Sequence, residues 1–410
     1  MPTVKPFHGI RYSSPDELAQ VVCPPYDIIT PEEQAALHYQ HPHNAVRLEL
    51  ARSPEGEADR YQGVGETFQR WMDEGVLVKE PSESFYVYRQ DFRTTSGALR
   101  RVAGVIGALT LEEFGPESGV LPHERTMEGP KADRLALMRA CPVNISPIYG
   151  LYRGGSGLRP YLDSLENRLP TARLADRSGT LHRLWVVSAP GEVEMLGDAL
   201  SASPLVIADG HHRYETALEF HREKGGDPGE HASMMCFCVD ADAEDLVVLP
   251  YNRALRSPRA KNELEKALER RGAERLNEDQ ARYALRNDHA DHPFVFVLPH
   301  SWHMTTVSDA EVVDTVGDRP LGWRTLDVVA LHEVLLPKLL PEGVSELSFS
   351  KDPDEIVRSV HEEGWDAGVL LRALSAVDVV EAARTGERMP QKASYFWPKA
   401  ITGLVFRSLE

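Results

Sequence analysis

The segment at residues 206–218, VIADGHHRYETAL, constrains the fold of this chain more than any other stretch of its sequence. Its first residues are apolar and predict a buried strand. Asp209 and Gly210 predict a turn, because glycine adopts backbone angles and permits close approaches that other residues resist. A helix is then expected from His211 or His212 to about Lys224. The chain must therefore contain a strand–turn–helix unit whose turn is unusually polar.

This turn carries groups that bind anions and move protons. A helix start presents free backbone N–H groups and the positive end of the helix dipole, which favour an anion. Arg213 adds a planar guanidinium suited to phosphate or carboxylate, and His211 and His212 exchange protons near neutral pH. Asp209 suits Mg²⁺ or the orientation of a histidine, and Glu215 adds a second carboxylate. The alternative is a plain helix start, capped by Asp209, with both histidines solvated.

The composition restricts the partners of the chain. Its 410 residues carry 45 basic and 63 acidic side chains, a net charge of −18. This charge argues against a broad nucleic-acid surface and an anionic membrane, but it allows a local basic pocket for a small anion. The four cysteines form no C-x-x-C pair, the N-terminus has no leader pattern, and no apolar stretch reaches the ~20 residues of a membrane helix. We expect a cytoplasmic globular protein of two or three domains, with the oligomeric state left open.

Apolar periodicity predicts the other elements. Thr30, Pro31 and Glu33 predict a capped helix start, and residues 84–113 predict two strands joined by a turn at 95–97. The apolar pair at 21–22 predicts a short strand, the segments SMMCFCVD and LVVLP predict a strand pair, and residues 325–340 predict an apolar helix. The fold class is mixed, α/β to α+β, with boundaries near 154–156 and 256–258.

Two clusters in the first fifty residues are candidate substrate contacts. In CPPYDII, Asp27 follows two prolines and is placed to act as a base toward a substrate hydroxyl; an Asx turn or helix entry is the equal alternative. In HPHNAVR, Asn44 and Arg47 are candidates for binding a substrate carboxylate, and His41 and His43 have metal-like spacing. No Cys or carboxylate cluster completes a metal site there, so an exposed loop is the better interpretation.

Two further clusters are charged. In PHERT, at least one of His123, Glu124 and Arg125 is a candidate for the site, and a surface ion pair is the alternative. In MPQKASYFWPK, Lys392 and Lys399 are candidate phosphate contacts, and solvated lysines are an equally weighted alternative.

Six motifs occur in an order that resembles the domain-of-unknown-function 1015 family. They are CPPYDII (23–29), HPHNAVRLEL (41–50), YVYRQ (86–90), PHERT (122–126), ADGHHRYETAL (208–218) and MPQKASYFWPK (389–399). They span almost the whole chain. The family often has a Thr-His-Arg-like triplet after a Leu-Pro strand, whereas this chain has Tyr251, Asn252 and Arg253. A catalytic histidine is excluded there, and Arg253 keeps a candidate anion contact.

The DGHHR element also resembles the ParB/sulfiredoxin-like superfamily, which includes free-serine kinases. This resemblance covers one short motif, and it implies that residues 209–213 hold a phosphoryl donor and Mg²⁺. It implies a ParB/sulfiredoxin-like core at 156–256, with an N-terminal lobe at 1–155 that carries a β-rich insertion and a C-terminal α+β lobe at 257–410.

Three functions follow from these patterns. The first is Mg²⁺-dependent phosphoryl transfer to a small hydroxy amino acid such as free serine, with a nucleotide or pyrophosphate as donor. The second is a phosphatase of the same substrates, and the third is a nucleotide-binding sensor without catalysis. A P-loop mechanism is not expected, because the chain has no G-x-x-x-x-G-K-[ST] motif. In each case the partner is a small phosphorylated molecule rather than a nucleic acid or a membrane.

Overall fold

A computed structural model of the chain describes residues 1–52, 60–94, 96–124, 126, 128–154, 157–258, 260–287 and 291–410. Residue 95 of the predicted turn, residues 155–156 of the predicted boundary and the candidate site residue Arg125 lie outside these ranges. The described chain combines helices and strands in one mixed fold, as the sequence predicted.

The strands are, in chain order, β1 (Val4–Lys5), β2 (Ile10–Tyr12), β3 (Leu77–Lys79), β4 (Phe85–Arg93), β5 (Leu99–Thr110), β6 (Val120–Pro122), β7 (Val143–Asn144), β8 (Ile148–Tyr152), β9 (Ala172–Ala175), β10 (Leu181–Val187), β11 (Leu205–Asp209), β12 (Ser233–Asp240), β13 (Val247–Leu249), β14 (Asn252–Arg256), β15 (Glu274–Leu276), β16 (His292–Val297), β17 (Trp302–Val307), β18 (Glu346–Ser350), β19 (Ala367–Leu370), β20 (Tyr395–Trp397) and β21 (Arg407–Ser408).

The α-helices are α1 (Leu18–Val21), α2 (Pro31–Gln40), α3 (Val46–Glu49), α4 (Val64–Asp73), α5 (Glu128–Ala140), α6 (Leu158–Ser164), α7 (Pro190–Leu200), α8 (His211–Glu223), α9 (Ala260–Arg270), α10 (Glu278–Asn287), α11 (Asp309–Val316), α12 (Leu321–Arg324), α13 (Asp327–Val329), α14 (Leu336–Leu339), α15 (Pro353–His361) and α16 (Ala376–Arg384).

The chain divides into two compact units. The first comprises Met1–Pro122, Thr126–Leu246 and Pro398–Glu410, and the second comprises His123–Arg125 and Val247–Trp397. The first unit is built on a large mixed sheet with the order β6-β11-β8-β12-β5-β4-β10-β9, and β1 pairs with β5. The pairs β6–β11 and β8–β12 are parallel, and the other neighbours along this sheet are antiparallel. Apolar side chains of α6, α7 and α8 join the core of this sheet.

The second unit contains an antiparallel sheet with the order β15-β17-β16-β19-β14-β18. Its apolar side chains form two clusters, one that includes the segment from Ala330 to Leu340 and one that includes Ile356 and Val360 of α15. The strands β13 and β20 pair with each other in a separate two-stranded sheet of this unit.

Several predicted elements are confirmed. Thr30 caps α2, where its Oγ1 accepts a hydrogen bond of 3.2 Å from the backbone N–H of Glu33, and Pro31 occupies the first helical turn. The strands β4 and β5 pair antiparallel as the predicted hairpin. The segment SMMCFCVD forms the predicted strand, β12, on which Cys236 and Cys238 are both buried.

Two predictions were wrong. The apolar pair at 21–22 ends the helix α1 instead of forming a strand, since the N–H of Val22 donates to Leu18 O. The strand β12 pairs with β5 and β8 rather than with β13, because its side chains are buried on both faces and suit a central position in the large sheet.

The apolar helix predicted at 325–340 is present over residues 327–339, but it is not regular. A π-helical segment, Ala330–Leu335, precedes Pro337, which lacks the N–H that a regular helix needs.

Candidate functional site

The turn between β11 and α8 takes a conformation that only glycine adopts easily. A bulge shifts the register of β11 between Ile207 and Asp209, and Gly210 then has φ +94°. A Cβ atom at Gly210 would lie 2.7 Å from Cγ2 of Ile148, closer than such atoms approach. The helix begins at His211, within the predicted start at His211 or His212, and its first N–H groups have no partner within the helix. The glycine therefore sets both the direction of α8 and its close contact with β8.

Asp209 does not cap this helix. Its Oδ2 accepts a hydrogen bond of 2.8 Å from Nη2 of Arg213, and its Oδ1 forms an ion pair with Nζ of Lys399. The side chains are 16%, 8% and 6% exposed in the order Asp209, Arg213 and Lys399, so bulk water screens these contacts only weakly. Burial alone would raise the pKa of Asp209, but the ammonium of Lys399 and the guanidinium of Arg213 outweigh it and hold that pKa well below its ordinary value. The simple capping interpretation is therefore wrong.

Arg213 joins the helix start to the segment before β8. Its Nη1 donates to Oγ of Ser146 at 3.0 Å and to the carbonyl oxygen of Pro147 at 2.7 Å. Together with the bond to Asp209, these contacts fix the plane of the guanidinium. Arg213 is therefore a rigid cation at the start of α8.

Lys399 and Asp27 complete the group. Asp27 lies in a short 3₁₀ turn, Tyr26–Ile28, directly after the two prolines, and its Oδ2 is 3.9 Å from Nζ of Lys399. The backbone oxygen of Lys399 accepts a hydrogen bond of 2.9 Å from Nε2 of the fully buried Gln90 on β4. Lys399, near the end of the sequence, therefore contacts one carboxylate from its beginning and one from its middle, at the start of α8. The candidates Asp27, Asp209, Arg213 and Lys399 lie together in the first unit.

A second ion pair beside this group was missed by the sequence prediction. Arg134 on α5 is 4% exposed and donates to Oε1 of Glu49 at 3.3 Å and to Oδ2 of Asp133 at 2.5 Å. Its guanidinium carbon lies 4.1 Å from the ring centre of Tyr26. Burial raises the pKa of Glu49 more than the neighbouring guanidinium groups lower it. Glu49 could have been predicted as a site residue, because it lies inside the HPHNAVRLEL motif. Arg134 could not, because it lies in an ordinary helical pattern.

The other candidates on α8 have neighbours of their own. His211 is 7% exposed and lies close enough to Asp209 to lower the pKa of that carboxyl, and His212 is half-buried. Glu215 accepts a hydrogen bond of 2.7 Å from Oγ1 of Thr126 and lies 3.3 Å from Nζ of Lys131. Their contacts with a substrate stay predictions.

Asn44 and Arg47 are engaged by nearby backbone. The side-chain amide of Asn44 donates to the carbonyl oxygens of Gln20 and Val22 at 2.7 and 3.1 Å, and the residue is fully buried. The guanidinium of Arg47 donates to the carbonyl oxygens of His38 and His41 at the end of α2. These contacts hold the loop together, and a carboxylate contact for either residue stays a prediction.

The remaining candidates belong to the second unit. Nε2 of the buried His123 lies 3.2 Å from Oγ of Ser394, and Glu124 forms a β-bridge with Met389. Lys392 has φ +55°, a left-handed conformation that a lysine adopts only at a cost. The PHERT and MPQKASYFWPK motifs are therefore neighbours in space, and Arg125 lies outside the described residues.

Arg253 is a buried cation of this second unit. It is 1% exposed and donates to the carbonyl oxygens of Tyr251 and Lys392, and its Nε lies 3.4 Å from Nε2 of His332. Burial lowers the pKa of Arg253 to about 9, and burial together with this guanidinium lowers the pKa of His332 to about 4. His332 is therefore neutral at pH 7, and an anion contact of Arg253 stays a prediction.

The described residues show neither a metal-binding cluster nor a membrane-spanning helix. No group of three or more His, Cys, Asp or Glu side chains among them has a metal-binding arrangement, His41 and His43 included. No helix in the described ranges is both long and apolar enough to cross a bilayer.

Comparisons with known proteins give one family and several weak structural likenesses. The sequence model of the family described as "Protein of unknown function (DUF1015)" matches residues 4–329. No curated protein matches the sequence. Solved structures that are similar include a conserved hypothetical protein from Pyrococcus furiosus, with 13% identity over 69% of this chain and 89% of that one, at a TM-score of 0.34.

Two further structures are similar at the same level. A free serine kinase in complex with AMP has 14% identity over 68% of this chain and 83% of its own, at a TM-score of 0.35. SbnI with a C-terminal truncation, from Staphylococcus aureus, has 9% identity over 72% of this chain and 85% of its own, at a TM-score of 0.36. At these scores, none of the structural likenesses supports a conclusion about this chain.

Proposed function

The chain belongs to the DUF1015 family, and we propose that it is an enzyme that transfers a phosphoryl group to a small hydroxy amino acid such as free serine. The observation that carries the proposal is the meeting of Asp27, Asp209, Arg213 and Lys399 at the start of α8. Phosphoryl transfer needs little covalent chemistry from a protein beyond positioned cations, backbone N–H groups and a base for the acceptor hydroxyl. All of these are present around this helix start.

The cations and the helix start would hold the phosphoryl donor, which we propose to be a nucleotide or pyrophosphate. The first N–H groups of α8 and its dipole favour an anion there. Lys399 supplies a point charge, whereas Arg213 is held by Asp209 and Ser146 and supplies a fixed positive field. Binding the donor phosphate at Lys399 requires this ammonium to exchange part of its contact with Asp209 for the phosphate oxygens.

Asp27 is the group that we assign as the base. Its side chain is 25% exposed, so an acceptor hydroxyl can reach it, and it lies beside Lys399. In the transfer step the acceptor oxygen bonds to the terminal phosphorus, the bond to the leaving oxygen of the donor breaks, and the hydroxyl proton passes to the Asp27 carboxylate. The leaving group departs as the shortened nucleotide or as inorganic phosphate.

Mg²⁺ fits this site only as an ion that arrives with the donor. Both oxygens of Asp209 are engaged by cations, and the described residues hold no ready-made metal cluster. Mg²⁺ in phosphoryl-transfer sites is commonly held by one or two carboxylates together with substrate phosphates. Asp209 and Asp27 are the carboxylates that would contribute, and the ion would neutralise charge on the donor phosphates.

The proposal is tested by incubating the purified protein with Mg²⁺, serine and either ATP, ADP or pyrophosphate, and by measuring phosphoserine by mass spectrometry. We expect phosphoserine with at least one donor. Lys399→Met and Asp27→Asn are each expected to lower the rate by about 10²–10⁴-fold, the range typical of a lost base or a lost charge contact.

The matched controls are Lys5→Met on β1 and Asp16→Asn, which change the same charges at exposed positions, and both should retain the full rate. Absence of phosphoserine with every donor, from protein that is folded by circular dichroism, would refute serine kinase activity. Phosphate release from phosphoserine without an acceptor would instead indicate a phosphatase, and nucleotide binding without turnover would indicate a sensor.

A further inference from the structure

A small cavity adjoins Arg213 in the first unit. Its volume is about 30 Å³, and its wall is partly apolar and partly polar, the polar part including Glu49, Asn144, Ser146 and Arg213. Asn144 and Ser146 are two positions apart, so their side chains can face the same way along the extended segment before β8. A volume of this size accommodates one water molecule but no phosphate or amino acid.

Three side chains on this wall each have one atom with no hydrogen-bond partner among the described protein atoms. These atoms are Nε of Arg213, Nδ2 of Asn144 and Oε2 of Glu49. The three residues are 7%, 3% and 2% exposed in that order. A buried polar atom without a partner is strongly unfavourable, and most such atoms in proteins are bonded to protein or to ordered water.

The other polar atoms of these three side chains already have hydrogen-bond partners, and these bonds fix the orientation of the side chains. Oδ1 of Asn144 accepts a hydrogen bond of 2.9 Å from the N–H of Met235, so the amide nitrogen is the free end. Oε1 of Glu49 accepts hydrogen bonds from Arg134 and from Ser146, and Ser146 in turn accepts one from Arg213. The three atoms therefore offer two N–H donors and one carboxylate acceptor.

We propose that this cavity is a binding site for one ordered water molecule that joins Glu49, Asn144 and Arg213. Water accepts from the two N–H groups and donates to the carboxylate, which makes the three hydrogen bonds typical of a buried water. A metal cation does not fit this cavity, because it would be repelled by two N–H donors and two guanidinium groups. A halide fits poorly as well: it would accept from the N–H groups, but the Glu49 carboxylate would repel it.

The water gives Glu49 a role at the candidate site. Through the water, the carboxylate contacts Nε of Arg213, whose Nη2 bonds to Asp209. Glu49 is thus a positioning residue: through the water it adds a contact at Nε to those with Ser146, Pro147 and Asp209 that orient the guanidinium. The value of this positioning for phosphoryl transfer rests on the proposed function, but the water and the orientation of Arg213 do not.

The water is tested by a crystal structure of the full-length protein at about 1.5 Å resolution. We expect one ordered water within 3.2 Å of the three atoms. An empty cavity would overturn the inference. So would a halide peak in the anomalous map of a bromide-soaked crystal.

The positioning role is tested with Glu49→Gln, in which an amide replaces one carboxylate oxygen, so that either the water or Arg134 meets a donor instead of an acceptor. The readout is the ¹⁵N–¹H NMR signal of the Nε–H group of Arg213, which donates to the proposed water. We expect this signal to shift in the variant, because Arg213 loses the water-mediated contact that helps to orient it. Glu66→Gln, at an exposed position of α4, should leave it unchanged.

An unchanged Nε–H signal of Arg213 in folded Glu49→Gln would overturn the positioning role. If this variant does not fold, Asn144→Leu serves instead, since it removes one donor to the water and leaves all charges in place. Its crystal structure should lack the water, and retention of the water there would overturn the inference. Neither readout requires enzymatic activity, so failure of the proposed function would not affect them.

Discussion

Replacing Asp209 by asparagine is expected to destabilise the first unit by about 3–5 kcal/mol, the range found when one partner of a buried ion pair is removed. The substitution leaves Arg213 and Lys399 as two cations with 8% and 6% exposed side chains. Neither can regain its hydration without a rearrangement of the chain. The stability loss comes mainly from these two cations, which lose the carboxylate that they share, rather than from the carboxylate itself.

Removing the cation together with the anion should recover part of this loss. Lys399→Met alone is expected to cost less, roughly 2 kcal/mol, because Asp209 keeps its bond to Arg213. In the double variant Asp209→Asn with Lys399→Met, Arg213 is the remaining buried cation that loses a charged partner, and the partly exposed Asp27 loses Lys399. The two substitutions should therefore be non-additive by about 2–3 kcal/mol, which is the upper part of the range for residues in direct contact.

The assay is urea unfolding at 25 °C and pH 7, followed by circular dichroism, for the wild type, both single variants and the double variant. In thermal melts, 1 kcal/mol corresponds to about 2–4 °C for units of this size. The control cycle uses Glu219 and Arg222 on α8, whose side chains are about half exposed and 2.8 Å apart. That exposed pair should show a coupling below about 1 kcal/mol. An Asp209–Lys399 coupling as small as this would refute the buried ion pair.

Two further predictions concern backbone strain and pH. Gly210→Ala should destabilise the protein by about 2–4 kcal/mol in urea unfolding, because it combines a φ of +94° with a Cβ 2.7 Å from Ile148. Gly63→Ala, at φ +78° with open space around it, should cost only about 1 kcal/mol, and equal losses would contradict the close approach. Since the pKa of His332 is about 4 in the folded protein and 6.5 ordinarily, the unfolded chain binds the additional proton between these values. Above pH 6.5 the neutral His332 should therefore not lower the stability of the second unit, and this stability should fall as the pH drops toward 4. In thermal melts, His332→Asn should show a smaller fall in stability between pH 7 and pH 5 than the wild type does.

The sequence predicts the local parts of the site well because they depend on neighbouring residues. A short apolar run, a glycine and a polar helix start are sufficient to predict β11, the turn and α8. The unusual backbone at Gly210 follows from the same pattern, since glycine is the residue that adopts it without strain. Helix starts such as that of α2 are predicted for the same reason: Thr30 and Pro31 act within one turn.

The partners of Asp209 could not be predicted in this way. Lys399 is 190 residues away in the chain, and nothing in the periodicity of either segment specifies their contact. The available signal was that both residues lie in motifs of one family, ADGHHRYETAL and MPQKASYFWPK. Such a pattern suggests that both motifs matter, but it does not say that they are in contact. Arg134 gave no signal at all, because an arginine on an amphipathic helix is usually solvated and only the tertiary fold buries this one.

The strand errors have a related cause. The segment SMMCFCVD is apolar on both faces, which is typical of a strand in the middle of a sheet. Such a strand pairs with another strand on each edge, and its sequence does not specify which strands these are. Its partners are β5 and β8, which both precede it in the chain. The next strand after it, β13, pairs with β20 instead. Proximity in sequence was therefore a poor guide to pairing here.

The net charge of −18 and an anion-binding role are compatible because the relevant charges are buried. The side chains of Lys399, Arg213 and Arg134 are each less than 10% exposed. Charges that water does not screen interact more strongly than surface charges, so the acidic exterior matters less to an anion than these three cations do. Each cation already has a carboxylate partner, so an incoming phosphate must compete with Asp209 or Asp27 for Lys399. The site should therefore bind a phosphate with Mg²⁺ more tightly than either alone, because Asp209 and Asp27 would hold the metal while Lys399 contacts the phosphate.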